Sequence, residues 1–221
     1  MQNQLLKEAN EFQEKLSAWR RALHQIPEIG LHLPKTVAFV KKELEQMDIP
    51  YTVYEESSCI VALIGSGEKC FMLRSDMDAL PVREESGEPF ASENGCMHAC
   101  GHDMHTTTLL GAAKLLKSHE KELRGTVKLL FQSAEETFQG AKAAVDAGVL
   151  ENPRVDAAFA MHVAPNSENK KIIYGEYPMT SVYGFRILLT GKGTHGSAPE
   201  LGIDPINAGV HLYLALQELI A

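Results

Sequence analysis

The sequence has no apolar run near the ~20 residues that a membrane-spanning helix needs. Its first residues, Met1 to Lys7, also lack the apolar core of a secretory signal. Neither a membrane partner nor an export route is therefore expected. Aromatic residues are scarce at 7%, with one tryptophan, and the 21 basic residues are outnumbered by 29 acidic ones. The net charge of -8 disfavours a nucleic-acid partner, because phosphate recognition needs clustered Lys and Arg. Cysteine is sparse too. Cys59, Cys70, Cys96 and Cys100 do not make a disulfide framework in a signal-free chain of 221 residues, which points to a reducing cytoplasm. What is present is ordinary globular composition, 44% hydrophobic and 23% charged, enough for one large domain or two modest ones.

Apolar residues at Leu5, Ala9, Phe12, Leu16, Trp19 and Leu23 follow the helical period, so one amphipathic helix is expected up to His24. A second runs from Pro34 or Thr36 to Met47. Tyr51–Tyr54, Cys59–Ile64 and Cys70–Leu73 read as strands, as do Thr126–Phe131 and Val155–Ala160. Helices at Thr106–Lys117 and Ala141–Ala147 alternate with them, which predicts an α/β fold with a mainly parallel sheet flanked by helices. Asp76 to His105 has no sustained period, and a loop this long is uncommon unless functional. After Gly175 the texture changes. A strand is expected over Tyr183–Thr190 and a helix over Asp204–Ile220, giving domains of 1–175 and 176–221.

Ligand-type residues gather where three strands end, the side on which open α/β sheets carry their sites. Cys70–Leu73 runs into Asp76 and Asp78, Thr126–Phe131 into Glu135 and Glu136, and Val155–Ala160 into His162. The long loop adds Cys100 and His102. Two apart, these share a metal only in extended or turn geometry, which Gly101 permits. Thiolate and imidazole suit zinc, while carboxylate company admits manganese or another divalent ion. A buried cysteine beside a capping histidine is the bland alternative, and a Cys100 nucleophile with His102 as base is another. Neighbouring carboxylates at Glu135 and Glu136 point different ways, so one can bind metal while the other acts as a base. Asp76 and Asp78 share a face of an extended chain and suit a supporting role, or a turn cap before Pro81. His195 lies in a Gly-rich turn whose default reading is a plain hairpin. His24, His32, His119 and His211 have no special neighbours.

Six blocks carry a family resemblance. They are Arg20 to Glu28, Leu73 to Pro81, Met97 to Asp103, Phe131 to Glu136, Met161-His162 and Gly193 to Pro199. Together they resemble the hippurate hydrolase, aminoacylase and indoleacetyl–amino acid hydrolase group, dinuclear metal amidohydrolases related to carboxypeptidase G. The resemblance implies Cys100, His102, Glu136 and His162 as metal ligands, with Cys100 bridging two divalent ions such as zinc, manganese, cobalt or nickel. It implies Glu135 as general base and Asp76, or else Asp78, as the supporting acid. It places His195 in a smaller α+β satellite domain that mediates homodimerisation, where it reaches a neighbouring subunit's site to steady the oxyanion.

The activity so implied is hydrolysis of a small N-acyl amino acid, acetyl, benzoyl or similar, to a carboxylate and a free amino acid. The rivals are a dipeptidase or carboxypeptidase of the same fold, or a non-catalytic metal-binding remnant. Two departures accompany the resemblance. Ser133 stands where proline is usual, and the group has a further metal-binding histidine near its C-terminus, whereas this sequence stops at Ala221 within a satellite helix. The expectation is a truncated chain, with a 221-residue form that is nearly inert and poorly behaved in solution.

Overall fold

A computed structural model describes residues 2–175 and 184–219. The chain divides into two compact units, Met1–Ser167 and Glu168–Ala221.

The first unit is an α/β structure with helices α1 (Gln2–Glu11), α2 (Gln13–His24) and α3 (Pro34–Gln46) before the sheet. Strands β1 (Tyr51–Tyr54), β2 (Cys59–Ile64) and β3 (Cys70–Asp76) follow, then α4 (His102–Ser118), β4 (Thr126–Gln132), α5 (Gly140–Asp146) and β5 (Ala157–Ala160). The single N-terminal helix expected from periodicity is two. The break falls at Phe12, whose ring lies 4.8 Å from the Lys114 ammonium of α4.

The sheet order is β1-β2-β4-β3-β5. Pairings β3–β4 and β3–β5 are parallel, whereas β1–β2 and β2–β4 are antiparallel, so four of the five described strands run one way and β2 runs against them. β4 inserts between β2 and β3, which the Gly65-Ser66-Gly67 turn joins in sequence. Alternating residues sort the strands onto two covered faces. Ile60, Ala62, Ile64, Leu129 and Phe131 pack with Trp19 of α2, Val40 and Leu44 of α3, and Leu109, Leu110 and Ala113 of α4. Cys59, Val61, Met72 and Leu130 pack with Ala144 and Val149 on the α5 side. There Lys128 is fully buried, its ammonium donating to the carbonyls of Val149, Glu151 and Pro153 at 2.7–2.8 Å.

The second unit contains α6 (Pro205–Glu218), capped by Asp204, whose side chain accepts from the Ile206 N–H at 2.8 Å. Residues 184–190 form no strand, because no described segment pairs with them; Tyr183 and Ile220 lie outside the described residues. A bridge between Lys192 and Ile203 is the β-type pairing described in this unit. No described helix is long and apolar enough to cross a membrane.

Candidate metal centre

Because β4, β3 and β5 are parallel, their carboxyl ends lie on one side, and each leads into a polar segment. Asp76 closes β3 and Asp78 follows two residues on. Beyond β4, the backbone turns at Ala134, a buried residue with φ 50, and presents Glu135 and Glu136. His162 comes two residues after β5. Cys100 precedes α4 and His102 opens it, with Gly101 between them at φ 87, a left-handed conformation that glycine adopts readily. That turn lets Cys100 and His102 face one point despite their spacing.

Donor atoms of Cys100, His102 and His162 all lie within 4.8 Å of one another, as do those of His102, Glu135 and Glu136. Asp76, His102 and His105 form a third, fully buried group, and His102 belongs to all three. Cys100 Sγ is 3.3 Å from His162 Nε2. His102 Nδ1 donates to the Asp78 carbonyl at 2.8 Å, which leaves Nε2 as the free lone pair. That Nε2 sits 3.6 Å from Asp76 Oδ1 and 3.8 Å from both Glu135 Oε2 and Glu136 Oε1. Both His102 Nε2 and Glu136 Oε1 are buried without a hydrogen-bond partner among the described residues. Such orphaned atoms are costly unless something else binds them. Separations of this size are too long for hydrogen bonds but close to the ~3.3–3.6 Å edge of a tetrahedron with ~2.0–2.2 Å metal–ligand bonds. The residues present therefore fit divalent metal.

Charge points the same way. Burial, then the Glu136, Glu135 and Asp76 carboxylates, push the Cys100 thiol up to about 11. Burial, with help from Glu135 and Asp78, also raises the Glu136 carboxyl above its usual range. An acidic pocket that penalises its own anions is one that a cation relieves. Asp76 behaves differently. Burial opposes its ionisation, yet the His105 hydrogen bond and the His102 and Arg74 charges hold it down at about 2.

The supporting contacts are specific. Asp78 is fully buried, and its two carboxylate oxygens accept the Glu135 and Glu136 N–H groups at 3.0 and 3.1 Å. It thus fixes the paired glutamates while its carbonyl orients His102. Asp76 accepts from Arg74 Nη1 at 2.8 Å and from His105 Nδ1 at 2.5 Å. His105 was not singled out by sequence; its i,i+3 spacing from His102 on α4 is the signal that was there to find. His195 lies in the second unit, exposed, with Nδ1 2.8 Å from Ser197 Oγ.

His24 also has a place. It is buried, with Nδ1 2.7 Å from Asp103 Oδ2 and Nε2 3.1 Å from Glu84 Oε1, and Arg20 Nε reaches the same Asp103 oxygen at 2.8 Å. The Arg20–His24 spacing of four puts both on one face of α2. The Asp103 hydrogen bond raises His24 above 6.5, outweighing burial. Burial opposes the Asp103 charge, but the His24 hydrogen bond lowers its pKa overall. A raised histidine stabilises fully below its unfolded pKa and less as pH climbs through its folded value; a lowered aspartate loses its contribution as pH falls. The stability margin of the parent over His24→Gln, from urea midpoints, should therefore peak near pH 5–6, between the two ordinary ranges, and shrink above pH 6.5. A margin flat from pH 5 to 8 would show that this pair does not couple to folding.

A profile of peptidase family M20/M25/M40 matches residues 72–215. The sequence is 43% identical over 219 residues to IAA-amino acid hydrolase ILR1-like 4 of Arabidopsis thaliana, covering 98% of this chain and 49% of that protein. It is 38% identical over 213 residues to N-acetyl-L-cysteine deacetylase of Bacillus subtilis, covering 95% and 51%. The fold is similar to that of a dinuclear metal-binding peptidase of the M20 family from Bacillus subtilis, with a TM-score of 0.67 and 39% identity, over 71% of this chain and 45% of that one. The chain thus spans about half the length of these proteins.

Proposed function

The chain belongs to peptidase family M20/M25/M40, and from that premise we propose that it hydrolyses the amide bond of N-acyl amino acids in a metal-dependent reaction. The observation that carries the reading is the convergence of Cys100, His102 and His162 with a glutamate pair whose members differ in access. Glu136 keeps 18% of its side chain exposed and has an orphaned buried oxygen, whereas Glu135 keeps 36% and is open to water. Cys100, His102, Glu136 and His162 would hold two divalent ions. When bound, the ions supply Lewis acidity for the acyl carbonyl and make water a better nucleophile near neutral pH.

Glu135 takes the proton of the attacking water and passes it to the amide nitrogen as the C–N bond breaks. Asp76 and Asp78 act without touching substrate, Asp76 through the histidines beside it and Asp78 through the main chain of the glutamates. His195 serves as a donor to the developing oxyanion, presented across a homodimer by a satellite domain beginning after Gly175. The four cysteines are free, which suits a reducing cytoplasm.

The protein, loaded with zinc, manganese, cobalt or nickel, should release free amino acid from hippurate, N-acetyl-cysteine or indoleacetyl-alanine. A chelator should abolish turnover and added metal restore it. Turnover of none of these by metal-loaded protein, or a higher kcat/KM on free dipeptides, would overturn the reading.

A further inference from the structure

We infer that His105 is the positioning residue that fixes His162 at the metal centre, acting through the main chain of Val163. The inference rests on the reading of Cys100, His102 and His162 as a shared metal site. His105 is fully buried on α4. Its ring nitrogens meet opposite partners: Nδ1 lies 2.5 Å from Asp76 Oδ1, and Nε2 lies 2.9 Å from the Val163 N–H. A main-chain N–H only donates, so Nε2 accepts and the ring proton sits on Nδ1, donated to Asp76. Arg74 holds the other Asp76 oxygen. Both nitrogens of His105 are engaged. Although it clusters with Asp76 and His102, it has no lone pair left for a metal.

What it holds is the residue after His162. The Val163 carbonyl accepts from His162 Nδ1 at 2.7 Å, which turns His162 Nε2 into the lone-pair nitrogen facing Cys100 Sγ. The Val163 side chain rests on Gly101, where an added Cβ would come within 2.6 Å of Val163 Cγ2. Val163 is thus gripped by its N–H and its side chain, both by the start of α4, while its carbonyl sets the His162 tautomer. This anchoring matters because β5 is a four-residue exposed strand. Among the described residues, the His105 bond ties residues 161–164 to α4, and the Cys100–His162 contact ties them to the turn just before it.

The test is zinc affinity, measured by competition with a chromophoric chelator, together with histidine-selective ¹⁵N spectra of the metal-free chain. His105→Ala should weaken zinc ~10–100-fold, the range typical of outer-shell partners. Combined with His162→Ala it should add little, because both act through one ligand, whereas combined with Glu136→Gln the losses should multiply. Gln places an acceptor near the position of Nε2 and should recover most of the affinity in His105→Gln. Asn in His105→Asn reaches Asp76 but not Val163 and should not. The spectra should show the Nδ1–H tautomer at His105. Parental affinity in both His105→Ala and His105→Asn, full multiplication with His162→Ala, or an Nε2–H tautomer would each overturn the inference while leaving the metal site standing. A parent chain that binds no zinc would instead overturn the site itself, and the inference with it.

Discussion

Glu135→Gln is expected to keep its bound metal and to lose hydrolysis by ~10²–10⁴-fold, the usual contribution of a general base. Glu136→Gln is expected to lose metal and rate together. The two residues are adjacent and chemically identical, so the difference must come from where the backbone sends them. Asp78 accepts both N–H groups and sets that direction for the pair. Glu136 turns an oxygen inward to a buried position near His102, where burial already disfavours its charge. A glutamine there would offer the proposed cation a neutral oxygen in place of a charged one. Glu135 stays more open, and the same change removes only its capacity to take a proton. Metal content by elemental analysis and kcat on N-acetyl-cysteine separate the cases. Parental turnover in Glu135→Gln would mean that the base lies elsewhere.

The residues of this centre were legible in the sequence because each follows a strand or flanks a glycine with a clear signal. Apolar runs leading into Asp76, Glu135 and His162 place all three beyond the carboxyl ends of strands, and Gly101 announces the turn that lets Cys100 and His102 converge. The connections between them were not legible. Nothing in the spacing says that Asp78 spends its carboxylate on the main chain of two glutamates 57 and 58 residues away. Nor does it say that His105 reaches a backbone N–H beyond β5. These are contacts between segments brought together only by the fold. Sheet order was hidden for the same reason: β2 and β3 are neighbours in sequence, yet β4 lies between them. The α/β class was legible because short apolar runs, nearly continuously buried in β2 and β4, alternate with helical periods, and both patterns are local information. The break at Phe12 and the irregular course of residues 184–190 were missed because apolar spacing records which residues face a partner, not whether the backbone stays regular or a partner strand exists.

His102→Ala should cause the largest loss of metal of any single substitution in the centre, more than ~100-fold in affinity and so beyond the ~10–100-fold typical of outer-shell changes. Among the described residues His102 is the one common to all three ligand groups, and it is fully buried. Its Nε2 has no hydrogen-bond partner among the described residues and faces three carboxylates at 3.6–3.8 Å. Removing it therefore deletes the nitrogen donor that these groups share, and a methyl group supplies no replacement. Cys100→Ala and His162→Ala each remove one donor from a single group, and both should lower metal content less than His102→Ala does. Cys59→Ala, Cys70→Ala and Cys96→Ala are controls and should bind metal as the parent does, since none of the three belongs to a ligand group. Circular dichroism guards against loss of fold, and His102→Asn, which keeps a donor toward the Asp78 carbonyl, distinguishes ligand loss from loosening of the loop. If His102→Asn folds and still binds zinc like the parent, the centre is not built around His102, and the metal assignment fails with it.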